Sequence, residues 1–158
     1  MNSKVRFGFL LLIFALILSV NLRPKALSGQ QILDLVNQDR VSHGLARLDL
    51  DPTLNLAALA KAQDMLTKNY FAHTSPTGTT PWYWFKTMGY DYTYAGENLA
   101  EGYSDPADLE NSWMSSPEHR ANILSPYYSD LGLAVVSYNN TNLVVQLFGS
   151  TDQRVTLK

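Results

Sequence analysis

The sequence predicts a mixed α+β fold in which helices pack on a small, mostly antiparallel sheet. Helical segments repeatedly begin with a capping residue followed by proline. Strand-like alternation is concentrated near the C-terminus. A short, glycine-bounded apolar segment between two predicted helices is typical of a strand. The chain has 158 residues, which is enough for one domain with its own core.

The first two predicted helices carry clear apolar faces. In "QQILDLVNQDRVSHG" the face contains Ile32, Leu35 and Val36, and Gly44 is placed to end the helix. The second helix is "DPTLNLAALAKAQDMLTKN", with an aspartate N-cap followed by proline. Its predicted core face consists of Leu54, Ala58, Ala62, Met65 and Leu66.

Three further helices are predicted from the same start signal. They are "TPWYWFKTMG", "DPADLENSWMS" and "SPEHRANIL". Proline suits the first helical position because its fixed φ is helical and its missing N–H would have no partner there. The sequence therefore predicts five helices, four of which begin with a capping residue and a proline.

Strands are predicted in two places. The stretch "LGLAVVSY", followed by "NNTN" and "LVVQLFGS", is typical of an antiparallel hairpin. The stretch "YAGENLAEGY" is too short for a helix, and we predict that it is extended. Together these segments supply the small sheet on which the helices pack.

The N-terminus carries an export signal. Residues 7–22 are uncharged and apolar, and Lys4 and Arg6 precede them. The run is shorter than the roughly 20 residues of a membrane span, which favours a cleaved signal peptide. Arg23 and Lys25 follow directly, which favours a retained anchor instead. We expect an extracellular domain in either case, secreted or tethered to the outer face of the membrane by residues 1–28.

Charge and cysteine content exclude several classes of function. Four of the 12 basic residues and none of the 14 acidic residues lie in residues 1–28, so the remainder has eight basic residues and a net charge of −6. This balance argues against nucleic acid as a partner. The chain has no cysteine, which excludes disulfides, thiol catalysis and cysteine-bound zinc.

His119 and Glu118 are candidate site residues at a helix start. If Ser116 is the N-cap, its hydroxyl can accept a hydrogen bond from the His119 backbone N–H. The positive end of the helix disfavours protonation of the imidazole, and a neutral imidazole is the form that binds metals. Spacing alone leaves open whether His119 only fills the helix start. An acid such as Glu118 in the first turn is explained by the helix dipole alone.

His73 and Glu97 are the other two candidates. His73 lies in "YFAHTSP", just past the second helix, and is either a site residue or a partner of a carbonyl at the helix end. Glu97 lies in the short apolar strand, where a carboxylate is costly unless it is paired. It is therefore either a site residue or part of a structural pair, for example with Arg120. We expect the third histidine, His43, to contact the terminal carbonyls of the first helix.

Seven stretches in order resemble the bacterial form of the CAP superfamily, also called the SCP or pathogenesis-related-1 domain. They are "ILDLVNQDR", "GLARLDLDPTLNLAALAKAQDM", "YFAHTSPTGTTPW", "GYDYTYAGENLAEG", "SWMSSPEHRANIL", "YSDLGLAVV" and "LVVQLFG". The resemblance implies a three-layer α-β-α sandwich with a small antiparallel central sheet. We expect this CAP/SCP domain to span residues 30–149, followed by a C-terminal tail of residues 150–158.

The resemblance also implies a cleft lined by two histidines and two acids. By motif match, His73, Glu97 and His119 take three of these positions. The resemblance implies that such a domain can bind a divalent metal, often zinc, through the two histidines, here His73 and His119. In the eukaryotic pattern the second acid follows a tryptophan by three residues, but Ser116 stands at that position here. Glu118 is the nearby acid that remains as a substitute.

Three functions fit these residues. The first is an exported binding or interaction module whose cleft takes a divalent metal, a small ligand or a peptide. The second is a zinc-dependent hydrolase, such as a peptidase, with Glu97 as general base. The third is lipid or sterol binding, with the aromatic run "PWYWF" lining an apolar groove. The missing second acid favours binding over hydrolysis, and a fold alone does not define an activity.

Overall fold

The computed structural model describes residues 27–151, which form five helices and one four-stranded sheet. The elements in chain order are α1 (Gly29–Ser42), β1 (Asp49–Leu50), α2 (Pro52–Lys68), α3 (Pro81–Met88), β2 (Tyr94–Glu101), α4 (Pro106–Ser115), α5 (Pro117–Ile123), β3 (Asp130–Tyr138) and β4 (Thr141–Ser150). Residues 1–26 of the predicted signal or anchor, and most of the predicted tail, lie outside the described residues. Within residues 27–151, no helix has the length and apolar character needed to cross a membrane.

The sheet is mostly antiparallel, as predicted. Its strand order is β1-β3-β4-β2, with β1 parallel to β3 and both other pairings antiparallel. The hairpin between β3 and β4 turns at Asn139 and Asn140, which both have positive φ. Asparagine tolerates this conformation, which a two-residue hairpin turn requires. The strand β1 was not predicted, because two residues carry no alternation.

Alternation along the sheet creates two apolar layers. In β4, Val144 and Phe148 face one side, whereas Leu143, Val145 and Leu147 face the other. The first side packs against α1, α4 and α5, and the second packs against α2 and α3. This arrangement is the expected three-layer α-β-α sandwich, because a sheet that is apolar on both faces needs a helical layer on each.

The buried stripes of the first two helices differ in detail from the predicted ones. In α1, Ile32 and Val36 are buried as predicted, but Leu33 rather than Leu35 completes the apolar contact. In α2, Leu66 is only half-buried, whereas the fully buried set includes the charged residue Lys61. Helical periodicity defines a face to within about one residue, so tertiary packing selects the neighbours that are buried.

Helix α5 begins where the sequence predicts, but its cap differs. Ser116 is the N-cap and Pro117 follows it, yet the Ser116 hydroxyl makes no capping hydrogen bond. The predicted bond from the His119 N–H to this hydroxyl is therefore wrong. The Ser116 carbonyl instead accepts a hydrogen bond from the Arg120 N–H. The proline φ and this backbone bond start the helix without help from the hydroxyl.

Buried Arg40 ties α1 to the segment that follows α5. Its guanidinium donates to the carbonyls of Ile123 and Ser125, each at 2.8 Å, and of Tyr128 at 3.3 Å. Its Nε donates to the Ala46 carbonyl at 2.8 Å. Burial lowers the pKa of Arg40 to about 10, so the group stays charged at neutral pH. This contact fixes the end of α5.

Candidate functional site

The candidate site lies along β2, the edge strand of the sheet next to β4. Successive side chains of a strand point to opposite faces. Glu97 accordingly contacts His73, which follows α2, whereas Asn98 contacts the backbone of His119 in α5. Side chains from the two faces of this strand thus contact the loop that carries His73 and the helix that carries His119.

His73 and Glu97 form a hydrogen-bonded pair. His73 Nδ1 lies 2.6 Å from Glu97 Oε1, and the imidazole side chain is 59% exposed while the carboxylate side chain is 2% exposed. The bond to Glu97 raises the pKa of His73. Burial raises the pKa of Glu97, against the opposing effects of His73 and Lys61. The pair therefore binds a proton more tightly than its groups do in water.

His119 is held through its backbone and by packing. Its carbonyl accepts a hydrogen bond from Asn98 Nδ2 at 3.2 Å. Its ring lies 6.5 Å from the Trp113 ring, and the two rings are tilted by 41°. Burial lowers the pKa of His119, as does the charge of His73, whereas Glu118 raises it. The lowered pKa favours the neutral imidazole of His119 at pH 7.

An amide network that the sequence patterns do not predict lies beneath β2. Asn122 Nδ2 donates to the Glu97 carbonyl at 3.1 Å and to Asn98 Oδ1 at 2.8 Å. Asn98 Nδ2 in turn donates to Gln146 Oε1 at 2.9 Å. These contacts join α5, β2 and β4, so they set the distance of His119 from the strand. The sequence feature that indicates this network is the presence of two amide residues, Asn98 and Gln146, at inward-facing positions of otherwise apolar strands.

A buried lysine is the second missed element. Lys61 of α2 is fully buried, and its Nζ donates to the Tyr70 hydroxyl and to the carbonyls of Ala72 and His73. Burial lowers the pKa of Lys61, whereas the charge of Glu97 raises it. The sequence signal was a lysine three residues after Ala58 and one before Ala62, within the apolar stripe of α2.

Each histidine borders a cavity. The cavity at His73 has a volume of about 340 Å³ and is formed by the loop after α2, the start of α3, β2 and α5. Its lining consists of His73, Thr74, Thr80, Pro81, Trp82, Ala95, Gly96, Glu97 and Asn122. His119 borders a cavity of about 380 Å³ further along β2, together with Trp113 and Phe71. The two cavities follow the same edge strand.

The aromatic run "PWYWF" divides between core and surface. It forms the first turns of α3, where Phe85 is fully buried in the core. Trp82 is 38% exposed and lines the His73 cavity, whereas Tyr83 is 51% exposed. The run therefore supplies one aromatic side chain to the candidate site.

The remaining predicted residues occupy simpler positions. Glu118 is exposed in the first turn of α5, as an acid that complements the helix dipole should be. Arg120 approaches His43 Nε2 at 3.4 Å, and the partner of Glu97 is His73 rather than Arg120. His43 Nδ1 lies 2.7 Å from the Asp39 carbonyl in the last turn of α1, as expected.

The donor set for a metal is small. Within residues 27–151, no three or more histidine, cysteine, aspartate or glutamate side chains are grouped as metal ligands. Two imidazoles remain, and one of them has its Nδ1 engaged by a carboxylate. Zinc sites with few protein ligands complete their shell with water, so two histidines fit an open site rather than a closed structural one.

The fold and the family model together define the class of the protein. The family model described as "CAP: Cysteine-rich secretory protein family" matches residues 33–148. The chain belongs to this family, and its complete lack of cysteine shows that the family fold needs no disulfide here.

Two relatives come from Bacillus subtilis strain 168. The chain is 42% identical over 115 residues to "Uncharacterized protein YkwD", covering 72% of this chain and 45% of that protein. It is 34% identical over 125 residues to "Uncharacterized membrane protein YlbC", covering 72% of this chain and 36% of that protein. The chain thus spans less than half the length of these relatives.

Solved structures show the same fold. An extracellular protein containing an SCP domain from Bacillus anthracis has a TM-score of 0.69 and 34% identity over 77% of this chain and 40% of that one. An outer surface protein from Borrelia burgdorferi has a TM-score of 0.71 and 21% identity over 82% of this chain and 100% of that one. The structure of NaASP2 with Zn²⁺ has a TM-score of 0.55 and 15% identity over 80% of this chain and 83% of that one.

Proposed function

We propose that His73 and His119 bind a divalent metal ion, with zinc as the best fit, and that the chain is an exported binding module. The observation that carries the proposal is the 2.6 Å contact between His73 Nδ1 and Glu97 Oε1. A metal-binding histidine commonly donates its other ring N–H to a carboxylate, which fixes the tautomer and orients the ring. Glu97 stands in this relation to His73.

The geometry of the pair leaves the second nitrogen of His73 available. With Nδ1 bound to Glu97, Nε2 is on the opposite edge of a ring that is 59% exposed. In the neutral tautomer that donates from Nδ1, the Nε2 atom carries a free electron pair, as a metal ligand must. His119 is neutral at pH 7 because burial and the charge of His73 lower its pKa. His119 is therefore in the ligand form at pH 7, and His73 reaches that form when Nε2 releases its proton to the solvent.

The position of Glu97 favours binding over hydrolysis. A general base must reach the water from which it takes a proton. The Glu97 side chain is 2% exposed and its Oε1 is engaged by His73, while its buried Oε2 has no hydrogen-bond partner among residues 27–151. Glu97 is therefore better placed to orient the His73 ring than to take a proton from a water molecule in the cleft. Moreover, Ser116 stands three residues after Trp113, where the eukaryotic pattern has its second acid.

Two observations support export. Residues 7–22 form an uncharged apolar run after two basic residues, as in a signal peptide or anchor. The 34% identical Bacillus anthracis protein is described as extracellular, and the more distant Borrelia protein is described as an outer surface protein. Both observations support the proposal that this domain is exported.

Zinc titration calorimetry tests the metal proposal. We would use the untagged full chain in mild detergent, purified without chelators, and compare it with His73→Asn and His119→Asn. His43→Asn is the matched control, because His43 lies at the end of α1 and contacts the Asp39 carbonyl. We expect binding in the wild type and the control, and about a tenfold or greater loss in each cleft variant. Absence of zinc heat, or unchanged heat in both cleft variants, would refute the proposal.

A further inference from the structure

We infer that Lys61 is a positioning residue for His73, because its buried ammonium holds the backbone of the loop on which the imidazole is carried. Lys61 Nζ donates to the carbonyl oxygens of Ala72 and His73, each at 2.8 Å. Its third partner is the Tyr70 hydroxyl at 3.2 Å. An ammonium has three donors, so these three oxygens satisfy it completely.

The loop has little else to hold it. Ala72, His73 and Thr74 are all exposed, so they bury little apolar surface. A further anchor of the loop is Ser75, which is buried and whose hydroxyl accepts a hydrogen bond from the Thr79 N–H. Lys61 therefore fixes the main chain of His73 from the core side, while Glu97 fixes its ring. Both constraints are needed to place an imidazole nitrogen.

The ammonium is itself held in place by a chain of groups that reaches the surface. The Tyr70 hydroxyl accepts from Lys61 and donates to Asp64 Oδ2 at 2.6 Å. Asp64 forms an ion pair with Lys68 at 2.7 Å, and the Lys68 side chain is 43% exposed. Lys61 Nζ also lies 4.9 Å from the Tyr70 ring centroid. All of these linked groups belong to α2 or to Tyr70, which lies two residues beyond the end of the helix.

A lysine at this point is not explained by packing. It occupies the apolar stripe of α2 among Ala58, Ala62 and Met65, where methionine has a similar length and no charge to desolvate. Burial of an ammonium is costly unless every donor finds an acceptor. Here two of the three acceptors are the carbonyls next to and at His73. The charge is thus used to hold the candidate site.

The test compares Lys61→Met with Lys68→Met in the full chain. The first readout is the tautomer of the neutral His73 ring in the metal-free protein, measured by long-range ¹H–¹⁵N NMR at about pH 9. In the wild type and in Lys68→Met we expect the Nδ1–H tautomer, because Glu97 accepts from it. In Lys61→Met we expect a mixture of tautomers, because the loop no longer presents Nδ1 to Glu97.

The second readout is zinc affinity, and this arm alone rests on the proposed function. We expect about a tenfold loss in Lys61→Met and none in Lys68→Met. If the wild type binds no zinc, the proposed function fails, while the tautomer still decides the role of Lys61. A retained Nδ1–H tautomer in folded Lys61→Met would overturn the inference.

Tyr70→Phe keeps the test decisive if Lys61→Met does not fold. This variant removes one acceptor of the ammonium and its link to Asp64, but it keeps the ring and both carbonyl contacts. We expect a smaller change toward mixed tautomers in the same NMR measurement. A His73 spectrum identical to that of the wild type would then contradict the positioning role.

Discussion

The two sides of the β2 edge hold their histidines by different physical means. On the α2 side, charged groups act on His73: Glu97 binds its ring and Lys61 binds its carbonyl. On the α5 side, neutral groups act on His119: Asn98 binds its carbonyl and Trp113 packs near its ring. The His73 ring is therefore held by a hydrogen bond to a carboxylate, whereas the His119 ring is held by packing.

The same difference appears in the buried cations of the two helical layers. Lys61 in α2 and Arg40 in α1 both donate to backbone carbonyls. The lysine acts at the histidine itself, whereas the arginine acts at the end of α5, beyond His119. An exposed loop needs a direct contact, but a residue within a helix is positioned by the helix. Helix α5 therefore needs only its ends and one face to be fixed.

The largest expected effect is the loss of the apolar support on the α5 side. Trp113→Ala removes a side chain that is 2% exposed and that packs with the core of α1 and α4. We expect the free energy of unfolding to fall by about 3–5 kcal/mol, as measured by urea denaturation. Trp82→Ala is the matched control and should change stability much less, because Trp82 is 38% exposed. Equal losses in both variants would contradict this account.

The next effect is expected on the α2 side. Glu97→Gln removes the charge that holds His73, so the pKa of His73 should fall toward its ordinary value. Zinc affinity should fall by about 10- to 100-fold, as for other carboxylates that orient a metal-binding histidine. Glu101→Gln is the matched control, because Glu101 lies at the exposed end of β2 and bonds to Tyr138. NMR titration and calorimetry measure the two quantities, and an unchanged His73 pKa would show that Glu97 does not control the ring.

A substitution at Gly96 in β2 should affect the α5 side more than the α2 side, with a smaller effect than those above. A Cβ at Gly96 would lie 2.6 Å from the Tyr128 hydroxyl and 2.9 Å from Asn122 Oδ1. Gly96→Ala should therefore displace side chains on the α5 side and lower the unfolding free energy by about 1–3 kcal/mol. Its NMR shifts should be larger at His119 than at His73. Gly29→Ala, where the nearest contact is 3.4 Å, should leave both histidines unperturbed.

The smallest expected effect is on pH dependence: His73 and His119 should change the free energy of unfolding with pH in opposite directions. The pKa of His73 is raised above 6.5, so its stabilising contribution is complete below pH 6.5 and is lost as pH rises through the folded value. The pKa of His119 is lowered, so its protonation destabilises the fold as pH falls below 6.5. His73→Asn should therefore lose most stability in acid, whereas His119→Asn should gain stability there.

Urea denaturation at several pH values measures this difference. The His43→Asn variant serves as a baseline, since His43 lies outside both cavities. Parallel pH curves for the two cleft variants would contradict the proposed difference between the sides.

Several features of the fold followed from local chemistry. The capped prolines placed the starts of α2, α3, α4 and α5, since proline fixes φ at the first helical position. The "NNTN" stretch placed the connection between β3 and β4, although β4 already begins at Thr141, and the short glycine-bounded segment placed β2. The limit of such signals is marked by the Ser116 hydroxyl, which makes no capping bond to α5, and by the half-buried Leu35. Both depend on which neighbours another element brings close.

Sequence by itself determined the helix starts, the hairpin, the family and the residues His73, Glu97 and His119 as candidates, because each is marked by a local pattern or an ordered motif. Tertiary structure alone decided that Glu97 binds His73, that Asn98 binds the backbone of His119, and that Lys61 donates to the His73 carbonyl. These contacts join residues 12 to 24 positions apart in the chain. Their formation depends on the packing of two helical layers against one edge strand, which no local pattern specifies.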